Sequence, residues 1–229
     1  MSLLTPAEGE ALLLSLRIAA VAVAASLPFA FATALLLARR DFPGKLLLDG
    51  LVHLPLVLPP VATGFLLLLL LGTRTGLGAF LLDHFGIRFV FSWTGAALAS
   101  AILTFPFQVR AIRLVLEAQD RGLDEAARTL GAGSWLTFRR VILPTLWPAI
   151  WSGSGQAFSR ALGEFGSVLM VSGNRPMETT TAATYVYSEI EGGRQASAVA
   201  VSLALLACSL GLLLLVNALQ RRGESANAA

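Results

Sequence analysis

Five long apolar segments, joined by shorter polar ones, dominate the pattern of hydrophobic and polar positions along the chain. They cover approximately residues 11–38, 46–71, 93–116, 146–171 and 196–219. A helix needs about 20 apolar residues to cross the hydrocarbon core of a bilayer, so each segment is long enough to span it. Because a backbone in lipid must satisfy its own hydrogen bonds, we expect every span to be helical. The pattern therefore predicts an all-α, polytopic membrane bundle of about five transmembrane helices, formed by one domain over residues 1–229.

The composition supports a membrane protein and offers little catalytic chemistry. Of the 229 residues, 55% are hydrophobic and 14% are charged, whereas roughly a quarter are charged in a soluble domain. The single cysteine, Cys208, cannot form an intrachain disulfide. Neither His53 nor His84 has a carboxylate or cysteine cluster around it in the sequence. We therefore predict no metal site and no catalytic residue.

The basic residues define a topology. The segments that we assign to the cytoplasm hold Arg39, Arg40, Lys45, Arg110, Arg113, Arg121, Arg128, Arg139, Arg140, Arg221 and Arg222. Because cytoplasmic loops carry an excess of Lys and Arg, the N-terminus is predicted outside and the C-terminus inside. This topology accounts for the basic residues without a nucleic-acid partner. A signal peptide is the alternative for the first segment, but Glu8 and Glu10 stand where basic residues would be expected.

Prolines interrupt the second apolar segment. The stretch HLPLVLPPVATG places Pro55, Pro59 and Pro60 within it. Each proline removes a helix hydrogen bond and clashes with the preceding turn, so we expect this helix to be bent or broken. Free backbone groups at membrane depth are tolerated only against protein or a water-filled path.

The fourth segment combines small residues with an intramembrane pair of charges. Its glycines and serines allow close helix contact and form a polar stripe. Arg160 and Glu164 stand four residues apart, where they can pair on a helix. Two interpretations remain open, a structural ion pair near the outer interface and the lining of a path for an anion. In the second interpretation, the candidate path residues are Pro59, Pro60, Thr63, Ser154, Ser159, Arg160 and Glu164. Arg17 is expected to reach the interface rather than bind a ligand.

A charged segment over approximately residues 117–144 separates the third and fourth spans. Asp124 is a plausible N-cap, Gly131 can end the helix that follows, and Ser134 offers a second N-cap. Pro144 is expected to close the second helix and to start the next span. The first helix is short and Ala-rich, which favours a groove on another protein over a position on lipid headgroups.

This segment carries a family resemblance. Glu125-Ala126-Ala127, Gly131 four positions later, and the Leu143-Pro144 pair resemble the EAA loop of the membrane subunits of binding-protein-dependent ABC importers. Valine stands at position 141, where that family usually has isoleucine. The stretches LVHLPLVLPPVATGFLLL, FPFQVRAIRLVLE and SRALGEFGSV extend the resemblance, which is to molybdate importer permeases and covers almost the whole chain. Sulfate, thiosulfate and tungstate permeases remain the near alternatives.

The resemblance implies a division of labour between subunits. It implies a homodimer in the bacterial inner membrane, two ATPase subunits on the cytoplasmic side and a molybdate-binding protein outside. It also implies an ATPase-coupling role for Glu125, Ala126, Ala127, Leu130 and Gly131, with a loop-to-helix hinge at Leu143 and Pro144. The sequence has no G-x-x-x-x-G-K-[ST] phosphate-binding loop. We therefore expect no cofactor in this chain, which is not itself an enzyme, and ATP bound by the partner.

Two other classes of protein remain to be weighed. A secondary transporter normally shows an internal repeat of its spans and buried carboxylates for ion coupling. No convincing repeat is visible, and Glu164 is the only such carboxylate within the spans away from their cytoplasmic ends. An intramembrane enzyme would need a nucleophile–base or metal constellation, which the sequence does not provide.

Overall fold

The polypeptide is described by a computed structural model over residues 5–74, 76–119, 129 and 133–227. Regular structure in these residues is helical. The helices are α1 Pro6–Arg39, α2 Lys45–Val57, α3 Pro60–Leu71, α4 Gly76–Phe85, α5 Trp93–Ala118, α6 Ser134–Thr137, α7 Leu143–Leu162, α8 Gly166–Ser172, α9 Ala182–Glu191 and α10 Gln195–Asn227. A π-helical turn, Phe138–Ile142, joins α6 to α7.

Three of the described helices are long and apolar enough to cross a membrane. They are α1, α5 and the first 22 residues of α10, Gln195–Val216. A capping box begins α1, in which the Thr5 hydroxyl accepts from the backbone N–H of Glu8 and the Glu8 carboxylate accepts from that of Thr5. The all-α membrane fold predicted from the sequence is confirmed.

The second apolar segment is broken, as its prolines predict. Helices α2 and α3 meet at an angle of 115° across Leu58 and Pro59. Leu58 is extended, with φ −71° and ψ 139°, and a following proline favours this conformation because it disfavours the helical region for the residue before it. Pro59 is extended as well, and Pro60 begins α3, where a missing N–H costs nothing. The pair counts as at most one further span.

The fourth apolar segment is also interrupted, which the sequence analysis did not predict. Helix α7 ends at Leu162, Gly163 leaves the helical conformation, and the short helix α8 begins at Gly166. At the beginning of α7, the prediction that Pro144 closes a separate helix is wrong. The backbone continues from Ser134 into α7 through the π-helical turn, in which the Leu143 N–H donates to the Phe138 carbonyl. A π-turn next to a proline accommodates the lost hydrogen bond without ending the helix.

Two helices lie in segments that the hydropathy pattern left as loops. Helix α4 follows the broken pair, and α9 precedes α10. The second is defined by local chemistry, since Thr181 and Thr184 form a reciprocal capping box at its start. Each has ten residues, too few to register as a span.

The centre of the bundle is α5, which packs along α1 and α7. The buried cluster between them, to which α2 adds Val52, contains Ala30, Ala34, Leu37, Val109, Ile112, Leu116 and Leu146. Gly153 allows α7 to approach α5, because a β-carbon there would lie 2.8 Å from Cβ of Ala111. Gln108 of α5 makes two buried hydrogen bonds with α1, because its Oε1 accepts from the Ser26 hydroxyl at 2.7 Å and its Nε2 donates to the Val23 carbonyl at 3.1 Å. The small residues of the fourth segment therefore serve close helix packing, as predicted.

Candidate functional site

The break in the second apolar segment packs directly against the break in the fourth. A β-carbon on Gly64 would lie 2.7 Å from Cα of Ser167 and 2.8 Å from its carbonyl oxygen. From the other side, a β-carbon on Gly166 would lie 3.1 Å from the backbone nitrogen of Val61. Glycines at both positions thus let α3 and α8 meet backbone to backbone. We call this contact the break junction, defined by Pro60, Val61, Gly64, Gly166 and Ser167.

Glu164 anchors the break junction from the α7 side. Its side chain is 2% exposed, and Oε2 accepts from Nη1 of Arg160 at 2.6 Å. The other oxygen, Oε1, accepts from the backbone N–H of Ser167 at 3.2 Å and from its hydroxyl at 2.9 Å. The predicted Arg160–Glu164 pair is therefore present. The carboxylate also satisfies an N–H at the start of α8, as an N-terminal capping group does.

Arg160 differs from its partner in exposure. Its side chain is 40% exposed while Glu164 is buried, so the guanidinium can present further N–H donors away from the pair. The other candidate path residues differ in exposure. Thr63 is buried one position before Gly64 and donates to the Pro59 carbonyl at 3.4 Å. Pro59 itself is exposed and Pro60 is half-buried.

Two of the candidate hydroxyls are buried without a partner. Within the described residues, Oγ of Ser154 and Oγ of Ser159 contact no hydrogen-bonding group, although a buried hydroxyl normally has one. Ser154 lies six residues before Arg160 on α7, about 9 Å along the helix axis, and is thus displaced from the break junction. Sequence reasoning missed Ser100 on α5, whose hydroxyl is equally buried and unpaired, because it stands in an Ala-rich stretch that indicates only packing.

A cluster of charged side chains joins the first half of α2 to the last turns of α5. Nη1 of Arg113 donates to Oδ1 of Asp49 at 2.8 Å, and Nε of the same arginine donates to Oε1 of Glu117 at 2.7 Å. Nδ1 of His53 lies 3.1 Å from Oδ1 of Asp49. His53 thus has one carboxylate neighbour, while the described residues hold no group of three or more His, Cys, Asp or Glu side chains that could bind a metal. The Asp49–His53 spacing of four was visible in the sequence, whereas Arg113 lies 64 positions from Asp49.

The opposite end of the bundle carries a second polar surface. A cavity of about 540 Å³ lies between the first turns of α1 and α9, with Arg17, Asn174 and Arg194 in its lining. Arg17 does not simply extend outwards, because its guanidinium lies over the Trp93 ring at 3.9 Å from the centroid. Two hydrogen bonds of 2.7 Å from Arg194 reach Glu189 and lower the pKa of that carboxyl below its ordinary value.

The candidate coupling residues fall mostly outside the described part of the chain. Glu125, Ala126, Ala127, Leu130 and Gly131 lie outside the described residues. Leu143 and Pro144 are described and begin α7, immediately after the π-helical turn. Their role as a hinge stays a prediction.

Non-helical backbone and ionisable side chains within apolar segments are tolerated in membrane proteins where they face protein or a water-filled path. Residues 26–224 match the family model of the binding-protein-dependent transport system inner membrane component. The chain belongs to this family and is a multi-pass inner membrane protein. Its fold is shared by the alginate importer of a bacterium, at a TM-score of 0.74 and 20% identity over 95% of this chain and 80% of the other. An amino acid ABC transporter matches at a TM-score of 0.67 and 22% identity, over 95% and 94%.

Within the family, the similarity extends to particular transport permeases. The molybdenum transport system permease protein ModB of Escherichia coli K12 is 50% identical over 212 residues, covering 91% of this chain and 93% of the relative. The corresponding protein of Haemophilus influenzae is 44% identical, covering 90% and 91%. A probable sulfate transport system permease protein of Chlorella vulgaris is 40% identical, covering 94% of this chain and 80% of the relative.

Proposed function

We propose that this chain is the membrane-spanning subunit of an ABC importer that carries molybdate into the cell. The observation that carries the proposal is the 50% identity to a molybdenum transport permease along 91% of the chain. The sulfate transport permease of Chlorella vulgaris matches at 40% and is longer than this chain, which covers 80% of it. Molybdate is thus favoured over sulfate, while tungstate, a tetrahedral oxyanion of the same charge, remains an open alternative substrate.

The break junction supplies the chemistry that a path for an oxyanion needs. A tetrahedral anion is best accommodated by hydrogen-bond donors and positive potential, held weakly enough that it leaves again. Arg160 offers both, and Glu164 keeps it oriented through the 2.6 Å hydrogen bond. The unpaired hydroxyls of Ser154 and Ser159 are further donors on the same helix. Pro59 contributes extended backbone between α2 and α3, and Pro60 and Thr63 lie in the first turn of α3.

The chain works as part of a larger assembly in this proposal. Two copies form the path, two ATPase subunits bind on the cytoplasmic side, and a solute-binding protein delivers the anion from outside. Support comes from the family description and from a fold neighbour solved in complex with a bacterial periplasmic protein. The N-terminus lies outside and the C-terminus inside, so that the basic loops face the cytoplasm.

ATP is bound and hydrolysed by the partner ATPase and not by this chain. The absence of a phosphate-binding loop from the sequence supports this assignment. The segment from Glu125 to Gly131 is the coupling helix, which fits into a cleft of the ATPase. Closure of the ATPase pair moves this segment, and the helical run from Ser134 to Leu162 conveys the movement to the break junction.

Competition among oxyanions tests the proposed substrate. In proteoliposomes containing this chain, its ATPase and its binding protein, we expect ATP-dependent uptake of labelled molybdate. Excess unlabelled molybdate should suppress the uptake and excess sulfate should not. Competition by excess tungstate shows whether the importer also accepts that anion. Uptake of sulfate in place of molybdate would support the sulfate alternative, and uptake driven by an ion gradient without ATP would support a secondary transporter.

Replacement of Arg160 decides between a path residue and a structural ion pair. We expect Arg160→Ala to lower uptake by about tenfold or more, because a charge-assisted hydrogen bond contributes roughly 1.5–3 kcal/mol and 1.4 kcal/mol is a factor of ten. The measurement is ATP-driven uptake at matched protein level. The control is Arg175→Ala, which removes an exposed pair with Glu178 outside the helices.

A double replacement removes the confounding buried charge. Arg160→Ala alone leaves Glu164 buried without its cation, which destabilises the fold. The Arg160→Ala/Glu164→Gln variant has no such charge and should recover its amount in the membrane but not its uptake. Recovery of uptake in the double variant would make Arg160 a structural residue and remove it from the path.

A further inference from the structure

Helix α2 is weakly held by packing compared with the other long elements. Val52 is its one buried residue, while Leu46 and Leu47 are 88% and 69% exposed. In a bilayer such leucines face lipid tails, which are as apolar as a protein interior and do not favour one helix position over another. Val52 and the half-buried Leu48 pack into the cluster around α5, but two apolar side chains are a small contact for a helix of 13 residues.

An ion pair adds a directional contact between α2 and α5 to the small apolar one. The 2.8 Å bond between Arg113 and Asp49 joins α2 to α5. Arg113 is held in place by Glu117 one turn further along α5. Nδ1 of His53, one turn further along α2, lies 2.9 Å from the backbone carbonyl oxygen of Asp49 and 3.1 Å from Oδ1 of its side chain. The arginine of the link is therefore fixed on its own helix, and the aspartate has a polar neighbour on its own. The two side chains are 23% and 30% exposed, which leaves the pair enough contact with its surroundings to remain charged.

The Asp49–Arg113 link lies between the end of α5 and the broken second segment, two parts whose movements are coupled in the proposed transport cycle. Arg113 lies five residues before the end of α5 at Ala118, next to the segment that we assign to ATPase coupling. Asp49 lies on the helix that ends at Val57, directly before the broken stretch at Pro59. A rigid connection at this point would make α2 follow α5, and so would move the break junction whenever the end of α5 moves.

We propose that Asp49 and Arg113 are positioning residues that form a strut between α5 and the broken helix and couple ATP hydrolysis to opening of the path. This inference rests on the proposed importer function. The strut acts through the break junction and does not contact the anion. Without it, the ATPase cycle continues while α2 no longer follows α5, so hydrolysis proceeds with less transport.

The coupling ratio of the assembled importer tests the strut. In proteoliposomes with the ATPase and the binding protein, Asp49→Asn should retain ATP hydrolysis while the anion transported per ATP falls about fivefold or more, the lower end of typical coupling effects. The matched control is Asp41→Asn, which weakens an exposed pair with Lys45 just before α2 and should leave the ratio unchanged. A wild-type ratio in Asp49→Asn would overturn the proposal.

A covalent cross-link in place of the ion pair distinguishes a loss of coupling from general damage to the fold. An Asp49→Cys/Arg113→Cys variant, made with Cys208→Ser, should have a lowered ratio that a short bifunctional thiol reagent restores. Failure of the cross-linked protein to recover would overturn the strut.

A measurement that does not depend on the solute separates this inference from the proposed function. A nitroxide attached to Leu47→Cys, with Cys208→Ser, should become more mobile when Asp49→Asn is added, whichever solute is carried. Unchanged mobility overturns the strut even if molybdate uptake is normal. Increased mobility with no molybdate uptake in the wild type would instead place the failure in the proposed substrate.

Discussion

Gly64→Val is expected to stop transport while the chain still inserts into the membrane. The reason is steric, because even a β-carbon at this position would lie 2.7 Å from Cα of Ser167 and 2.9 Å from Cβ of Met170. Both neighbours belong to α8, and the nearest atoms are backbone, which cannot rotate away. Overpacking of this kind costs about 1–3 kcal/mol, so α3 and α8 must separate at the break junction. Uptake of molybdate into proteoliposomes measures the effect.

The size of the added side chain should grade the loss. Gly64→Ala is expected to retain partial uptake and Gly64→Val very little, with both variants present at wild-type amounts in the membrane. Gly50→Val is the matched control, since it lies in the other half of the same broken segment and a β-carbon there meets nothing within 4 Å. Wild-type uptake by Gly64→Val would contradict the tight contact between the two breaks.

The features that the sequence predicts well are those governed by local chemistry. The bend in the second apolar segment follows from the pair Pro59-Pro60, because each proline disfavours the helical region for the residue before it, and both Leu58 and Pro59 are extended. The Arg160–Glu164 pair follows from a spacing of four on a helix. Apolar length predicts α1, α5 and most of α10, because the bilayer imposes a minimum span.

Contacts between distant parts of the chain could not be predicted in the same way. Glycine at position 64 indicates close packing but does not name Ser167 as the neighbour, because the pattern of one segment contains no information about its partner. The same limit hid the Asp49–Arg113 link across 64 positions. The sequence indicates the charge of Glu164, whereas its hydrogen bond to the first turn of α8 depends on a break that the sequence pattern does not predict.

The continuous helix through Pro144 changes how the coupling segment is connected to the membrane. The sequence suggested two separate short helices before the span, with proline as the boundary. In the structure α6, the π-helical turn and α7 form one helical run, and the Arg139 and Arg140 side chains lie in the π-turn. A continuous helix transmits displacement along its axis better than a flexible loop does. The π-turn lies beside Pro144, and π-turns and prolines are the places where helices bend.

The largest effect on assembly is expected from Glu125→Lys in the proposed coupling helix. The resemblance places this carboxylate at the start of a helix that fits into the ATPase, where a negative charge suits the helix dipole. Reversing the charge leaves a cation against a surface that receives an anion, and truncating or misplacing one partner of a buried interface pair costs about 2–5 kcal/mol. We therefore expect the ATPase to be lost from the complex and uptake to disappear, while the permease dimer still forms. Co-purification of the ATPase with the tagged chain measures the first effect.

Gly131 tests the same surface by shape instead of charge. A left-handed glycine ends a helix without strain, and a bulky side chain there disfavours that conformation. Gly131→Trp should therefore also release the ATPase, without changing any charge. Asp41→Lys is the control for both variants, because it reverses a carboxylate that is 94% exposed near the same membrane surface but outside the coupling segment. If Glu125→Lys and Gly131→Trp both retain the ATPase and transport at the wild-type rate, the coupling-helix assignment is wrong and the ATPase binds another part of the chain.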